Sequence, residues 1–232
     1  QTGDNGDVNV SQVGDFLNST VNQGGIRNET EVVQTGGREG AESFVTVNQA
    51  GELNDVLINQ GGDGNISTAI QEAGTSNNLI QISTEALGTT QTGFSNKATA
   101  KQIGGTASSK IFIDQQGDGN NTFSNPNNRF GSESAAFALQ DGEERSTINI
   151  LERRTGQYST TDVVQRNGVN NTATVEVIGG NDAVDILQRN ATNSLAEVMQ
   201  TASGGLGSPG GHYAKVTQRN GDRNTTTITQ SD

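Results

Sequence analysis

Counting back by twos from the glutamines of this chain exposes one face of an extended backbone. From Gln71 the positions are Ala69, Ser67 and Asn65; from Gln60 they are Ile58, Val56 and Asn54. From Gln102 they are Ala100, Ala98 and Asn96, and from Gln34 they are Val32, Thr30 and Asn28. The residues in between vary freely: Lys97, Thr99 and Lys101 in one unit, Asp55, Leu57 and Asn59 in another. Alternation with a period of two predicts a β-strand with one face turned inward. That face reads Asn, small or β-branched, aliphatic, Gln. A Gly-containing stretch of about four residues follows each Gln and predicts a turn.

The units recur. Gln1, Gln12, Gln23 and Gln34 are spaced by eleven residues, and so are Gln49, Gln60 and Gln71. A seven-residue strand and a four-residue turn fill one such unit, and two units make a 22-residue strand–turn–strand rung. One rung cannot bury its face alone, so rungs must stack. Stacked in register, each Gln lies over another Gln ~4.8 Å away, and its amide donates and accepts along the column. A buried amide is tolerated only when it is paired, which explains why the residue must recur. The expected fold is all-β: a β-solenoid of stacked strand–turn–strand rungs, with two parallel in-register sheets, amyloid-like, in one repeat domain spanning residues 1–232.

The Gln column is predicted at Gln12, Gln23, Gln34, Gln49, Gln60, Gln71, Gln91, Gln102, Gln115, Gln140, Gln165, Gln188, Gln200, Gln218 and Gln230. Asn28, Asn54, Asn65, Asn96, Asn171 and Asn224 open the corresponding strands. Glu152 fills one Gln position, with Ile150 and Ile148 inward before it. Val177 fills another, behind Val175, Ala173 and Asn171. Between Gln71 and Gln91 the position falls on Gln81 or Ile82. A short strand near Asn125 ends at Pro126. The count comes to about nineteen strands, or nine to ten rungs. Longer turns are expected at residues 37–42, 125–132 and 201–211.

Composition narrows the class. Hydrophobic residues make up 29% of the chain and aromatic residues 4%, with no Trp, so a thick apolar core is out of reach. Asn and Gln number 45. The net charge of −12 opposes nucleic-acid binding, which needs a basic stripe, and slows self-association at neutral pH. Without cysteine there is neither disulfide nor thiol chemistry. No apolar run approaches the ~18 residues of a membrane span, so no membrane insertion is expected. The chain opens inside a repeat, which reads as a mature or trimmed form.

The phrase Gln-x-Gly-x-x-Asn-x-Ala-x-x-x-Gln, carried by Gln91–Gln102 at every marked position and by Gln60–Gln71 with Ser67 in the Ala place, resembles the curlin repeat of bacterial curli fibres. The resemblance runs along nearly the whole chain, with a degenerate middle. It implies a secreted, extracellular amyloid subunit of a Gram-negative bacterium, polymerising head to tail at the cell surface as biofilm matrix. It also implies partners: a nucleator subunit and an outer-membrane secretion pore. Two departures stand out. The chain is expected to carry about twice the familiar number of rungs, and Gln1 already reads as a repeat residue where curlins carry a leader segment. The last unit mixes Lys215, Arg219 and Arg223 with Asp222 and Asp232, so it does not separate a major subunit from a nucleator.

Other chemistry is sparse. His212 is the sole histidine, and without Cys it does not suggest a transition-metal site. Gly61–Asn65 is similar to a calcium-binding nonapeptide, but the period here is eleven rather than nine. Glu143 and Glu144 read as a solvated charge pair with no cleft around them. The threonines of Asn224–Gln230 do not recur on neighbouring units, which argues against a flat ice-binding array. No cofactor and no catalytic residue are expected. Three function classes remain: a fibre-forming matrix subunit, a monomeric solenoid adhesin or autotransporter passenger, and a polysaccharide-active β-helix enzyme. The enzyme wants clustered carboxylates in a cleft, and the adhesin wants a capped end. Well-formed units at both ends favour the fibre.

Overall fold

The computed structural model describes residues 2–36, 39, 42–85, 96–116, 134–153, 159–179, 182–201 and 212–231. Among these residues every regular element is a strand, and the chain alternates between two nine-stranded sheets. Sheet 1 stacks β1 (Thr2–Asp4), β3 (Leu17–Ile26), β5 (Ser43–Gln49), β7 (Ile66–Gln71), β9 (Asn96–Ile103), β11 (Ser134–Asp141), β13 (Thr160–Arg166), β15 (Ala183–Arg189) and β17 (Tyr213–Arg219). Sheet 2 stacks β2 (Asp7–Val13), β4 (Glu29–Thr35), β6 (Asp55–Gly61), β8 (Leu79–Glu85), β10 (Lys110–Gln116), β12 (Thr147–Arg153), β14 (Thr172–Ile178), β16 (Leu195–Thr201) and β18 (Thr225–Ser231). Each strand pairs in parallel with the strand two places on, as in Val56↔Ile80 and Val184↔Ala214. The fold is a β-solenoid.

The alternation of the sequence becomes the alternation of burial. In β5 the pattern from Ser43 is buried, exposed, buried, half-buried, buried, half-buried, buried. A single layer of small and aliphatic side chains fills the space between the sheets as one continuous cluster, from Val32 to Val216. In three successive rungs sheet 1 contributes Ser67 and Ala69, Ala98 and Ala100, and Ala136 and Ala138. Sheet 2 contributes Ile80 and Ile82, Ile111 and Ile113, and Ile148 and Ile150. Further on the sizes exchange: Val163, Val184 and Ile186 stand in sheet 1, while Ala173 and Ala196 stand in sheet 2. Packing at crystal-like density allows a thin core when large faces small. Each Ile so buried contributes about 1.5–3 kcal/mol.

The arcs that lead from sheet 1 to sheet 2 also stack. Ile26, Glu52, Ser76, Ala107, Glu144, Val169, Thr192 and Asp222 form one column of parallel bridges. The residue after each, from Arg27 and Leu53 through Asn77, Ser108, Arg145, Asn170 and Asn193 to Arg223, has φ between 50° and 57°. This left-handed position turns the chain back towards the other sheet, and Asn is the side chain that tolerates it best. Two residues past Gln23 and Gln49, Gly25 and Gly51 adopt φ values of 91° and 99°. A Cβ on Gly25 would stand 2.0 Å from the Gly51 carbonyl oxygen, so the repeated Gly is required by the close approach of one arc to the next.

The register corrects one expectation. The residue in register with the Gln column between Gln71 and Gln91 is neither Gln81 nor Ile82. Thr84 pairs with Gln60 and Gln115, while Ile82 aligns with Ile58 and Ile113, and Gln81 lies on the outer face. The cause is local: seven residues separate Gln71 from the strand-opening Asn78, where five separate Gln60 from Asn65, so the inward frame moves on by two. The expected short strand at Asn125 lies outside the described residues, as do most of the expected longer turns.

Candidate functional site: the buried amide ladders

The strands of sheet 1 end on a column of eight glutamines. Gln23 Nε2 donates to Gln49 Oε1 at 2.8 Å, Gln49 to Gln71 at 3.0 Å, and Gln71 to Gln102 at 2.9 Å. Gln102 donates to Gln140 at 2.9 Å, Gln140 to Gln165 at 3.1 Å, Gln165 to Gln188 at 2.7 Å, and Gln188 to Gln218 at 2.8 Å. All eight are buried, none more than 5% exposed. The same Nε2 groups reach across the arc to the carbonyl that opens the next strand: Gln23 to Asn28 at 2.9 Å, Gln49 to Asn54 at 2.6 Å, Gln102 to Ser109 at 3.0 Å, and Gln140 to Ser146 at 3.0 Å. With Gln71 and Gln188, which reach Asn78 and Ser194 in the same way, six of the eight amides both join rung to rung and close an arc.

Sheet 2 carries a broken column. Gln12 donates to Gln34, and Gln34 to Gln60, both at 2.7 Å. Thr84 then takes the position. Beyond it Gln115 Nε2 donates to Glu152 Oε2 at 2.8 Å, and Thr161 Oγ1 donates to Glu152 Oε1 at 2.7 Å. Val177 interrupts the column again. Gln200 Oε1 beside it is buried without a hydrogen-bond partner, since an aliphatic chain has nothing to donate. Gln200 in turn donates to Gln230 at 2.7 Å. Gln12 is exposed and Gln230 half-buried, because they stand at the two limits of the described stack. Gln91 lies outside the described residues.

The asparagines open the strands in a column of their own. The amide N–H of Asn54 donates to Asn28 Oδ1 at 2.9 Å, that of Asn78 to Asn54 Oδ1 at 3.1 Å, and that of Ser109 to Asn78 Oδ1 at 2.9 Å. The column continues through the hydroxyls of Ser109 and Ser146 to Asn171, then through Ser194 to Asn224. On the opposite side of the solenoid, Asn96 N donates to Asn65 Oδ1 at 3.1 Å. Asn side chains also clamp their own turns: Asn54 Nδ2 donates to Ala50 O at 2.9 Å and Asn65 Nδ2 to Gly61 O at 2.7 Å. Ser109, Ser146 and Ser194 hold strand-opening positions that the recurrence of Asn does not mark. Their signal was present as a short polar side chain six or seven residues after each Gln.

Among the described residues three carboxylates are drawn inside: Glu152, Glu143 and Asp182. Glu152 is fully buried, and burial pushes its carboxyl up to about 7, against the opposing effect of the hydrogen bonds from Gln115 and Thr161. Glu143, expected to be solvated, is only 1% exposed and overturns that expectation. It turns into the arc because Ser146 Oγ at 2.6 Å and Asn171 Nδ2 at 3.2 Å donate to its Oε2; burial raises its pKa. Its neighbour Glu144 stays in solvent and pairs with Arg145. His212 sits ahead of β17 with Nδ1 3.2 Å from the buried Asp182. Among the described residues no group of three or more His, Asp or Glu side chains is arranged to hold a metal ion.

Compared with known protein families and with curated proteins, the chain matches none. What the geometry provides is a set of columns that repeat the same contact at every step, within a β-solenoid whose form is compatible with a structural or adhesive role.

Proposed function

We propose that this chain is the structural subunit of a self-assembling extracellular fibre of the curli type, extended by stacking copies head to tail. The observation that carries the reading is the sheet 1 ladder. Its rung-to-rung contact is the same at each of seven successive steps, so the surface that closes one rung is the surface that templates the next. The strands at the limits of the described part of sheet 2 support it in kind. β18 turns Thr226, Ile228 and Gln230 inward, and β2 turns Val8, Val10 and Gln12 inward, so in register Ile228 would meet Val10 and Gln230 would meet Gln12. A nucleator subunit and an outer-membrane export pore complete the proposal, on the strength of the resemblance of the repeat.

The test is electron microscopy of the purified protein after standing, with fibre diffraction of aligned samples. Unbranched fibres with a meridional reflection at ~4.8 Å are expected. A protein that stays monomeric for days with its β-structure intact overturns the fibre and leaves the monomeric adhesin.

A further inference from the structure

The charge of the chain is divided along its axis. Residues 1–95 hold twelve carboxylates against two arginines, while residues 96–232 hold fourteen against twelve lysines and arginines. The register turns this division into two straight columns. On the outer face of sheet 2, Asp7 pairs with Glu29 and Glu29 with Asp55, so three carboxylates recur at one per rung. On the outer face of sheet 1, Arg166 pairs with Arg189 and Arg189 with Arg219, so three guanidiniums recur at one per rung. All six side chains are exposed. Among the described residues the three carboxylates form no ion pair, and neither do Arg189 and Arg219; Arg166 approaches Asp141 only to 4.0 Å.

Stacks of like charge about 4.8 Å apart are unfavourable in the isolated molecule. Each is relieved by the other. Both columns lie at the same edge of the solenoid, beside the arc that leads from sheet 1 to sheet 2, but on opposite faces. A second copy set against sheet 1 in the same orientation and offset along the axis brings its acidic column over the arginines, with equal number, equal spacing and opposite sign. Few partners share that spacing as closely as another copy of the same solenoid. No aromatic residue lies in residues 166–170, 189–193 or 219–223, so bases would find no stacking platform there.

We propose that the Arg166–Arg189–Arg219 column is a lateral docking surface for the Asp7–Glu29–Asp55 column of a second copy of this chain. The contact is side by side and distinct from end-to-end stacking, so it exists in solution with or without fibres.

The experiment is a charge swap followed by sedimentation at low ionic strength. One triple variant is Arg166→Glu, Arg189→Glu, Arg219→Glu; the other is Asp7→Lys, Glu29→Lys, Asp55→Lys. The first moves the net charge from −12 to −18 and the second from −12 to −6. General repulsion alone makes the second associate more strongly than the native chain. The column contact makes each triple associate roughly tenfold more weakly, restores association in the equimolar mixture, and is lost in high salt. Circular dichroism checks the fold, and the milder Arg→Gln triple, expected to weaken association as well, replaces any variant that fails to fold. Lateral pairing between fibres, where they form, is scored by microscopy on the same samples. Native protein that does not pair even at millimolar concentration, a lysine triple that pairs more strongly, or a mixture that is not restored overturns the proposal.

Discussion

Sheet 1 and sheet 2 face each other across one core, yet they solve the same problem differently. Sheet 1 keeps a glutamine at the end of its strands eight times running, and it takes small residues, Ser67 to Ala138, in its middle rungs. Sheet 2 lets the position pass to Thr84, Glu152 and Val177, and takes isoleucine at six inward positions in the middle. The sheet with the continuous amide column has less aliphatic bulk, and the sheet with the broken column has more. A column of amides specifies register, because a slip by one residue turns every amide to the outside. Aliphatic side chains supply burial but accept many partners of similar volume. One sheet therefore sets register for both, and the other is free to vary at its amide position.

The largest expected effect breaks the division of volume. Ile111→Ala opens a cavity opposite Ala100 and is expected to cost about 4 kcal/mol. Ala100→Ile overfills the same layer and costs about 2 kcal/mol. The double variant restores the sum of volumes, so denaturant melts should show it more stable than the two losses added together. Strict additivity would mean that the two sheets do not share one layer.

Next in size is the division of the amides. Gln102→Ala leaves Gln71 Nε2 and Gln140 Oε1 without their ladder partners inside the core, and is expected to cost about 3 kcal/mol. Gln12→Ala, at the exposed limit of sheet 2, should stay within about 0.5 kcal/mol, as should Lys97→Ala on the outer face. Equal losses at Gln102 and Gln12 would remove the ladder from the account. Lys101 is a poorer control, since its Nζ lies 6.0 Å from the Phe137 ring centroid.

The carboxylate in sheet 2 sharpens the comparison through pH. Glu152 titrates at about 7 in the fold against 4.5 ordinarily, so between these values the folded chain holds a proton that the unfolded chain has released. Stability should therefore fall as pH rises from about 4.5 to about 7 and level off above, by about 3 kcal/mol in all. Glu152→Gln should remove this slope, raising stability at pH 8 and changing it little at pH 4.5. Urea midpoints across that range check it. A slope that persists in the variant assigns the titration elsewhere, with Glu143 the first candidate.

How much of this was legible follows from what periodicity can carry. The period of two and the recurring Gln were enough for an all-β solenoid with parallel sheets, because Gln23, Gln49 and Gln71 leave no other face for the amide to occupy. The chemistry of the strand openings was half legible: Asn28 and Asn54 announced it, while Ser109 and Ser146 hid it, since a hydroxyl and an amide oxygen can accept the same backbone N–H. The shift to Thr84 depended on an arc two residues longer, and arc length shows in the sequence only where both flanking strands are already placed. Glu143 beside Glu144 could not be separated by composition. Only the proximity of Ser146 and Asn171 across the arc distinguishes the buried acid from the exposed one.

The amides of sheet 1 form one continuous buried column. Side-chain amide hydrogen exchange followed by NMR reads this directly. The Nε2 protons of Gln71, Gln102, Gln140, Gln165 and Gln188 are expected to exchange only as the whole fold opens, together with the slowest backbone amides, while Gln12 exchanges as freely as an exposed side chain. If the sheet 1 amides exchange as fast as Gln12 while the backbone around them stays protected, the column is not a locked structural element and the account fails.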